Sequence, residues 1–246
     1  MTGSESESTA PAVQPAAQRR RLDIALIVLA FLAGSADAVA FVGFGGVFVG
    51  NMSGNVILLG VSVSSLAGVE PLRPITSLVG FAVGVLVAVV GRRVMERRDS
   101  GRGAALGGRS LWLVAALLLV SAVGWLIVDG QPDMPVRLAL IFVAAVALGV
   151  QSTLVARLAL PGVSTTFITG TMISVVAHLL RSPGHEEIQK IRIGVLVALV
   201  GGAAAGAGLL AVVWSGAMFL PAAGVVALAL WARGGARGGA RGGARS

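Results

Sequence analysis

The chain has 246 residues, 56% of them hydrophobic and only 12% charged, with a mean hydropathy of +0.90. That balance excludes an ordinary soluble domain, and the absence of cysteine excludes disulfides, thiolate nucleophiles and cysteine-ligated metals. The net charge of +8 comes from 19 Lys and Arg residues, placed in tails and between apolar runs, where they set membrane orientation rather than bind nucleic acid.

Residues 1–21 open with a Ser, Glu, Ala, Pro and Gln stretch without periodicity and close on Arg19-Arg20-Arg21. They read as a disordered cytoplasmic tail. The first apolar run, 22–44, carries Asp37 about fifteen positions in. A carboxyl group at that depth costs several kcal/mol unless it is paired, wet or protonated. Two readings stand: a proton-coupling group, or a cap that hydrogen-bonds nearby polar groups. The arginines, the apolar run and Ala38-Val39-Ala40 also have the form of a signal peptide. The segment is read as retained, since cleavage would remove Asp37 and the counterpart of a later span.

The second run, 46–66, opens on the break Gly45-Gly46-Val47 and continues with Asn51, Ser53, Gly54 and Asn55. Run 74–91 contains Gly80-xxx-Gly84, and a basic loop at 92–109 leads into run 111–128. A weakly acidic turn with Asp129 and Asp133 precedes run 135–157, which holds Gln151 and Ser152. Run 162–180 then opens on a second break, Pro161-Gly162-Val163, followed by Ser164, Thr165, Thr166, Thr169, Gly170 and Thr171, and ends near His178. A basic loop at 181–192, runs 191–213 and 215–232, and an Arg/Gly-rich tail at 233–246 complete the chain.

Eight apolar runs do not make eight crossings. If all crossed, the six arginines of 92–109 would lie outside, against the positive-inside rule. Treating 46–66 and 162–180 as non-crossing puts every basic cluster, and both termini, in the cytoplasm. The expected fold is an all-α membrane protein with six transmembrane helices and two re-entrant or broken helices. It is arranged as an inverted-topology repeat, with 22–128 as the first unit and 135–232 as the second. Non-helical backbone at membrane depth is tolerated only where protein or a wet cavity surrounds it, so both breaks should face inward. Gly34 and Asp37 match Gly149 and Ser152 at an offset of 115. Gly80-xxx-Gly84 is paired with Gly202-xxx-Gly206, glycines that let helices approach closely. The two glycine helices are expected to touch near the axis relating the halves.

Matched interrupted segments in two halves point to a binding site. The candidate substrate-binding residues are Asp37, Asn51, Ser53, Asn55, Gln151, Ser152, Thr165, Thr166, Thr169 and Thr171. The helix-breaking residues are Gly45, Gly46, Gly54, Pro161, Gly162 and Gly170. Their hydroxyls and amides can replace the hydration of a small polar solute, or simply tie helices together. Trp112, Trp125, Trp214 and Trp231 read as interfacial anchors, and Arg137 and Arg157 as side chains snorkelling from span ends.

Ala36-Asp37-Ala38-Val39, Gly45 to Asn55, Gly149-Val150-Gln151, Pro161 to Thr166 and Thr169-Gly170-Thr171 together resemble the YoaK family of bacterial multipass membrane proteins. The similarity covers most of Leu22 to Trp231. It implies about six spans in the inner membrane and carries no established activity. The family pattern implies Asn where this chain has Ser152, a departure that weakens that position as a ligand.

The favoured function is a secondary transporter or permease for a small polar solute, coupled through Asp37. No Walker motif is present to bind ATP. The alternatives are a non-transporting scaffold or sensor, and an intramembrane serine hydrolase using Ser53 with His178. The hydrolase fits poorly, because the spacing around Ser53 is not the usual nucleophile elbow and Thr169 replaces Ser53 in the repeat. No enzyme activity, catalytic residue, cofactor or metal site is expected. The expected partners are the lipid bilayer, an unidentified solute and a second copy of the chain, not nucleic acid.

Overall fold

The computed structural model of the chain describes residues 16–64, 68, 70–98, 108–158, 172 and 186–242. Seven helices lie among them: α1 (Ala16–Gly43), α2 (Met52–Ser62), α3 (Leu72–Arg98), α4 (Gly108–Ile127), α5 (Met134–Leu158), α6 (Glu186–Val212) and α7 (Phe219–Gly242). The described residues contain no strand. Pro74, Pro135 and Pro221 each fall in the first turn of their helix, where a missing N–H costs nothing. Five helices, α1 and α3 to α6, are long and apolar enough to cross a bilayer. The apolar part of α7, Phe219–Gly234, is shorter.

Helix α1 ends because Gly45 and Gly46 take φ of 87° and 81°, a left-handed conformation that favours glycine. The Gly46 N–H bonds back to the Phe41 carbonyl at 2.8 Å, closing the helix as a Schellman turn does. The helix expected across 46–66 is therefore confined to Met52–Ser62, about 16 Å of helix and half a bilayer core.

Two parallel helix pairs carry the packing: α1 lies along α6, and α3 along α5. Both are close-approach crossings made by glycine, and they are reciprocal. A Cβ on Gly34 would strike the Leu199 carbonyl, and one on Gly202 the Phe31 carbonyl. Likewise a Cβ on Gly149 would strike the Phe81 carbonyl, and one on Gly84 that of Val146. Each crossing uses two glycines three residues from the carbonyls that receive their partners.

This corrects one expectation: the two glycine helices, α3 and α6, do not pack extensively on each other, since α3 lies along α5 and α6 along α1.

The remaining contacts place α4 against α5 and α7, with α7 also touching α1. Leu111, Val114, Leu118, Ala122 and Trp125 line the buried side of α4. Trp125 is fully buried, which corrects its reading as an interfacial anchor. Its indole donates to the Trp214 carbonyl at 3.0 Å, its ring meets Phe44 edge-on at 4.9 Å, and Trp214 donates to the Gly130 carbonyl at 3.0 Å. At the opposite end Arg233 lies over the Trp112 ring and Arg21 over Trp231.

These contacts sort charge along the bundle. Arg19 to Arg21 begin α1, and Lys190 and Arg192 begin α6, which runs parallel to it. Arg233 meets Trp112 near the start of α4, close to Arg109. Arg157 reaches the Ala88 carbonyl at 3.5 Å, near Arg92 and Arg93. The other end holds Glu70, Arg73, Asp129, Asp133 and Arg137, the last donating to the Pro132 carbonyl at 3.0 Å.

Candidate functional site

The break between α1 and α2 is held from three directions. Asp37, half-buried on α1, accepts the Val49 and Gly50 N–H groups on one oxygen, Oδ1, at 2.8 and 2.6 Å. Such successive N–H groups form a concave donor site for a carboxylate. Asn55, fully buried on α2, accepts the Phe48 N–H at 3.0 Å and donates to the Phe48 carbonyl at 2.7 Å. Ser77 on α3 adds a 2.6 Å bond to the same carbonyl, and Asn55 also donates to Ser77 Oγ at 3.0 Å. An extended segment buried among helices has no ladder of its own, so side chains must supply its partners.

Asn51 is the N-cap of α2. Its Oδ1 accepts the Gly54 N–H at 3.2 Å and the Ser53 hydroxyl at 2.9 Å, the usual satisfaction of an orphan helix donor. Gly54 is packed against the Phe48 ring, which would meet any Cβ placed there. Phe48 also stacks on Phe41 at 4.9 Å.

The far side of the break is closed by α3. The Arg73 guanidinium donates to the Gly45 carbonyl at 2.8 Å and pairs with Glu70 at 3.1 Å. The first turn of α3 therefore sits beside the end of α1, and the chain from 44 to 71 leaves and returns at one level.

Helix α5 completes the interior. Gly50 lies between Asp37 and the Leu148 side chain, placing the break against α5. One turn on, the buried Gln151 donates to the Leu29 carbonyl of α1 at 3.1 Å. That bond fixes the amide orientation and leaves Oε1 buried without a partner. Ser35 Oγ is likewise buried and unpartnered, next to Gly206 of α6.

The structure thus brings Asp37, Asn51, Ser53, Asn55, Gly45, Gly46 and Gly54 together around one unwound segment, with Gln151 facing α1 nearby. Ser152 follows on α5 and is half-buried. Thr165, Thr166, Thr169, Thr171, Pro161, Gly162 and Gly170, with Ser164 and His178, lie outside the described residues. Sequence reading did not single out Ser77 or Arg73. Ser77 sits in an apolar helix 22 residues beyond Asn55, and a hydroxyl there signals little beyond its polarity.

Residues 25–231 match the family described as "Protein of unknown function (DUF1275)". The chain belongs to this family. It is 30% identical over 154 residues to the UPF0700 transmembrane protein YoaK of Bacillus subtilis (strain 168), covering 63% of this chain and 65% of the relative. The match thus spans slightly less than two thirds of that relative's length. No solved structure matches. With five bilayer-length apolar helices and a transmembrane relative, this DUF1275 member is a multipass membrane protein.

Proposed function

We propose that the protein is a secondary transporter or permease for a small polar solute, built as an inverted repeat of six crossings and two re-entrant elements. The observation that supports the re-entrant reading most directly is the Arg73 bond to the Gly45 carbonyl. A fully crossing α2 would carry the start of α3 to the opposite face, about 30 Å from the end of α1. The reciprocal glycine crossings support the repeat, since exchanging the halves maps each crossing onto the other. The sorted charge favours a cytoplasmic basic end in the bacterial inner membrane, with α7 as the sixth span.

Within this reading the polar groups divide by task. Asn51 and Asn55 hold the break, Asp37 fixes its inner edge, and Gln151 offers a buried acceptor to a donor-bearing solute. An unsatisfied buried acceptor costs about 1–3 kcal/mol, a cost a bound N–H or O–H would relieve. Protonation of Asp37 weakens its hold on Val49 and Gly50, which couples a proton to movement of the break. Ser53 donates its hydroxyl into the Asn51 cap, which disfavours it as a nucleophile.

The test is uptake into proteoliposomes across a panel of amino acids, polyols and small organic ions under an imposed pH gradient. Gradient-driven accumulation of one class, lost in Gln151→Leu and uncoupled from the gradient in Asp37→Asn, is the expected result. Absent flux for every class would sink the transporter reading, and protein-dependent flux that ignores the gradient would sink the coupling through Asp37. A second reading, a non-transporting scaffold, draws support from how many polar groups of the first break are committed to its own backbone.

A further inference from the structure

We propose that the basic end of α7 is a binding seat for the headgroup of an anionic phospholipid. Two arginine–tryptophan pairs build it. Arg21 of α1 lies over the Trp231 ring of α7, 5.4 Å from its centre, and Arg233 of α7 lies over the Trp112 ring of α4 at 4.5 Å. Trp231 and Arg233 are two positions apart and so face opposite sides of α7. One pair closes the groove between α1 and α7, and the other closes the groove between α7 and α4, the two helices on which α7 packs. Arg109 stands one turn before Trp112 on the same face of α4, which brings a third cation to the second groove. Of the described residues at these three helix ends, Arg19, Arg20, Arg21, Arg109 and Arg233 are basic and exposed, and Asp23 alone is acidic.

A guanidinium laid on an indole uses its flat face and points its N–H groups outward in its own plane. That edge matches the paired oxygens of a phosphate diester. Indoles settle at the level of lipid headgroups, and α1 and α4, which flank the seat, are long and apolar enough to cross the bilayer. The stacked cations are thus held where lipid phosphates lie. Trp112 adds a donor. Its Nε1 is buried with no hydrogen-bond partner among the described residues, although a buried indole N–H ordinarily has one. A headgroup oxygen drawn between α4 and α7 by Arg109 and Arg233 would satisfy it. Net charge then decides which lipid is taken. A zwitterionic headgroup brings an ammonium group against five arginines, whereas an anionic one brings phosphate and neutral hydroxyls. The opposite end offers no matching seat. There the Trp125 and Trp214 indoles are committed to backbone carbonyls, and Arg73 and Arg137 to those of Gly45 and Pro132.

The test offers the purified full-length protein, in detergent, phosphatidylglycerol or phosphatidylcholine with identical acyl chains, and counts bound lipid by native mass spectrometry. Wild type should retain phosphatidylglycerol over phosphatidylcholine by roughly 25-fold, about fivefold for each stacked arginine. Arg21→Gln and Arg233→Gln should each remove about fivefold of that preference. Arg93→Gln takes the same charge from the basic end of α3, and should remove less than about twofold. Trp231→Leu keeps every charge but deletes the ring under Arg21, and should cost about threefold. Equal retention of the two lipids by wild type would overturn the proposal. So would an Arg93→Gln loss as large as that of Arg233→Gln, which would make the preference a matter of net charge alone. Displacement of the lipid by excess glycerol phosphate would overturn it too, by identifying a soluble anion as the ligand. Counting only compact, low-charge ions keeps a folding defect from passing for lost binding. Neither a solute nor a gradient enters this test, so its outcome is separate from that of the transporter reading.

Discussion

The side-chain amide of Asn55 pairs with both backbone groups of Phe48, accepting the N–H at 3.0 Å and donating to the carbonyl at 2.7 Å. A strand neighbour would make the same two bonds, so one side chain replaces the missing ladder for the residue at the centre of the break. Asn55→Ala removes these bonds and leaves the Phe48 N–H unsatisfied, while Ser77 still donates to the carbonyl. The expected loss of unfolding free energy is about 2–4 kcal/mol, measured by reversible denaturation in mixed micelles. Ser77→Ala leaves Asn55 on the same carbonyl and should cost about 1 kcal/mol. Equal effects from the two would contradict this ordering.

Glycine substitutions should divide by what a Cβ would meet. Gly34, Gly84, Gly149 and Gly202 face backbone carbonyls across the two crossings, whereas Gly60 and Gly91 face open space. Alanine at any of the first four forces a pair of helix backbones apart, at a cost of about 1–3 kcal/mol. Alanine at Gly60 or Gly91 should be neutral, or stabilise by up to about 1 kcal/mol through helix propensity. The reciprocal geometry adds a sharper expectation: Gly34→Ala and Gly149→Ala should cost alike, as should Gly84→Ala and Gly202→Ala. Thermal unfolding in detergent followed by circular dichroism measures all six.

Trp125 joins α4 to the turn before α7 through its indole bond to the Trp214 carbonyl. Trp125→Phe keeps an aromatic ring against Phe44 but deletes that bond, and should destabilise by about 1 kcal/mol. Because Trp125 is the one fully buried tryptophan among the described residues, its removal should shift the remaining emission to longer wavelength. A spectrum that moves the other way would place Trp125 in a polar setting.

What the amino-acid sequence disclosed followed the strength of each physical signal. Long apolar runs had to be membrane-length helices, and consecutive glycines ahead of a polar cluster had to mark a break, because few other conformations suit them. Asp37 stands out because a carboxyl group in an apolar helix needs a partner, but the partner is backbone 12 and 13 residues away in a segment with no pattern of its own. Gly80 and Gly84 announced a close crossing without naming what is crossed, since a small residue is complementary to any backbone. Trp125 was read as interfacial because tryptophan near a span end usually is; Phe44 and the Trp214 carbonyl bury it instead, and neither is near it in sequence.

The crossing number can be tested without a solute, because single cysteines can be placed in a chain that has none. Glu70→Cys and Gln131→Cys lie at the end of the bundle that holds Arg73, and Arg20→Cys, Arg93→Cys and Lys190→Cys at the basic end. A membrane-impermeant maleimide added to intact cells should label the first two and reach the other three only after permeabilisation. The distinguishing comparison is Glu70 with Arg20. One crossing by α1 alone puts them on opposite faces, whereas a crossing by α2 as well returns Glu70 to the side of Arg20. Labelling of both from the same side would remove the re-entrant element, and with it the reason for Asp37, Asn55 and Ser77 to gather at membrane depth.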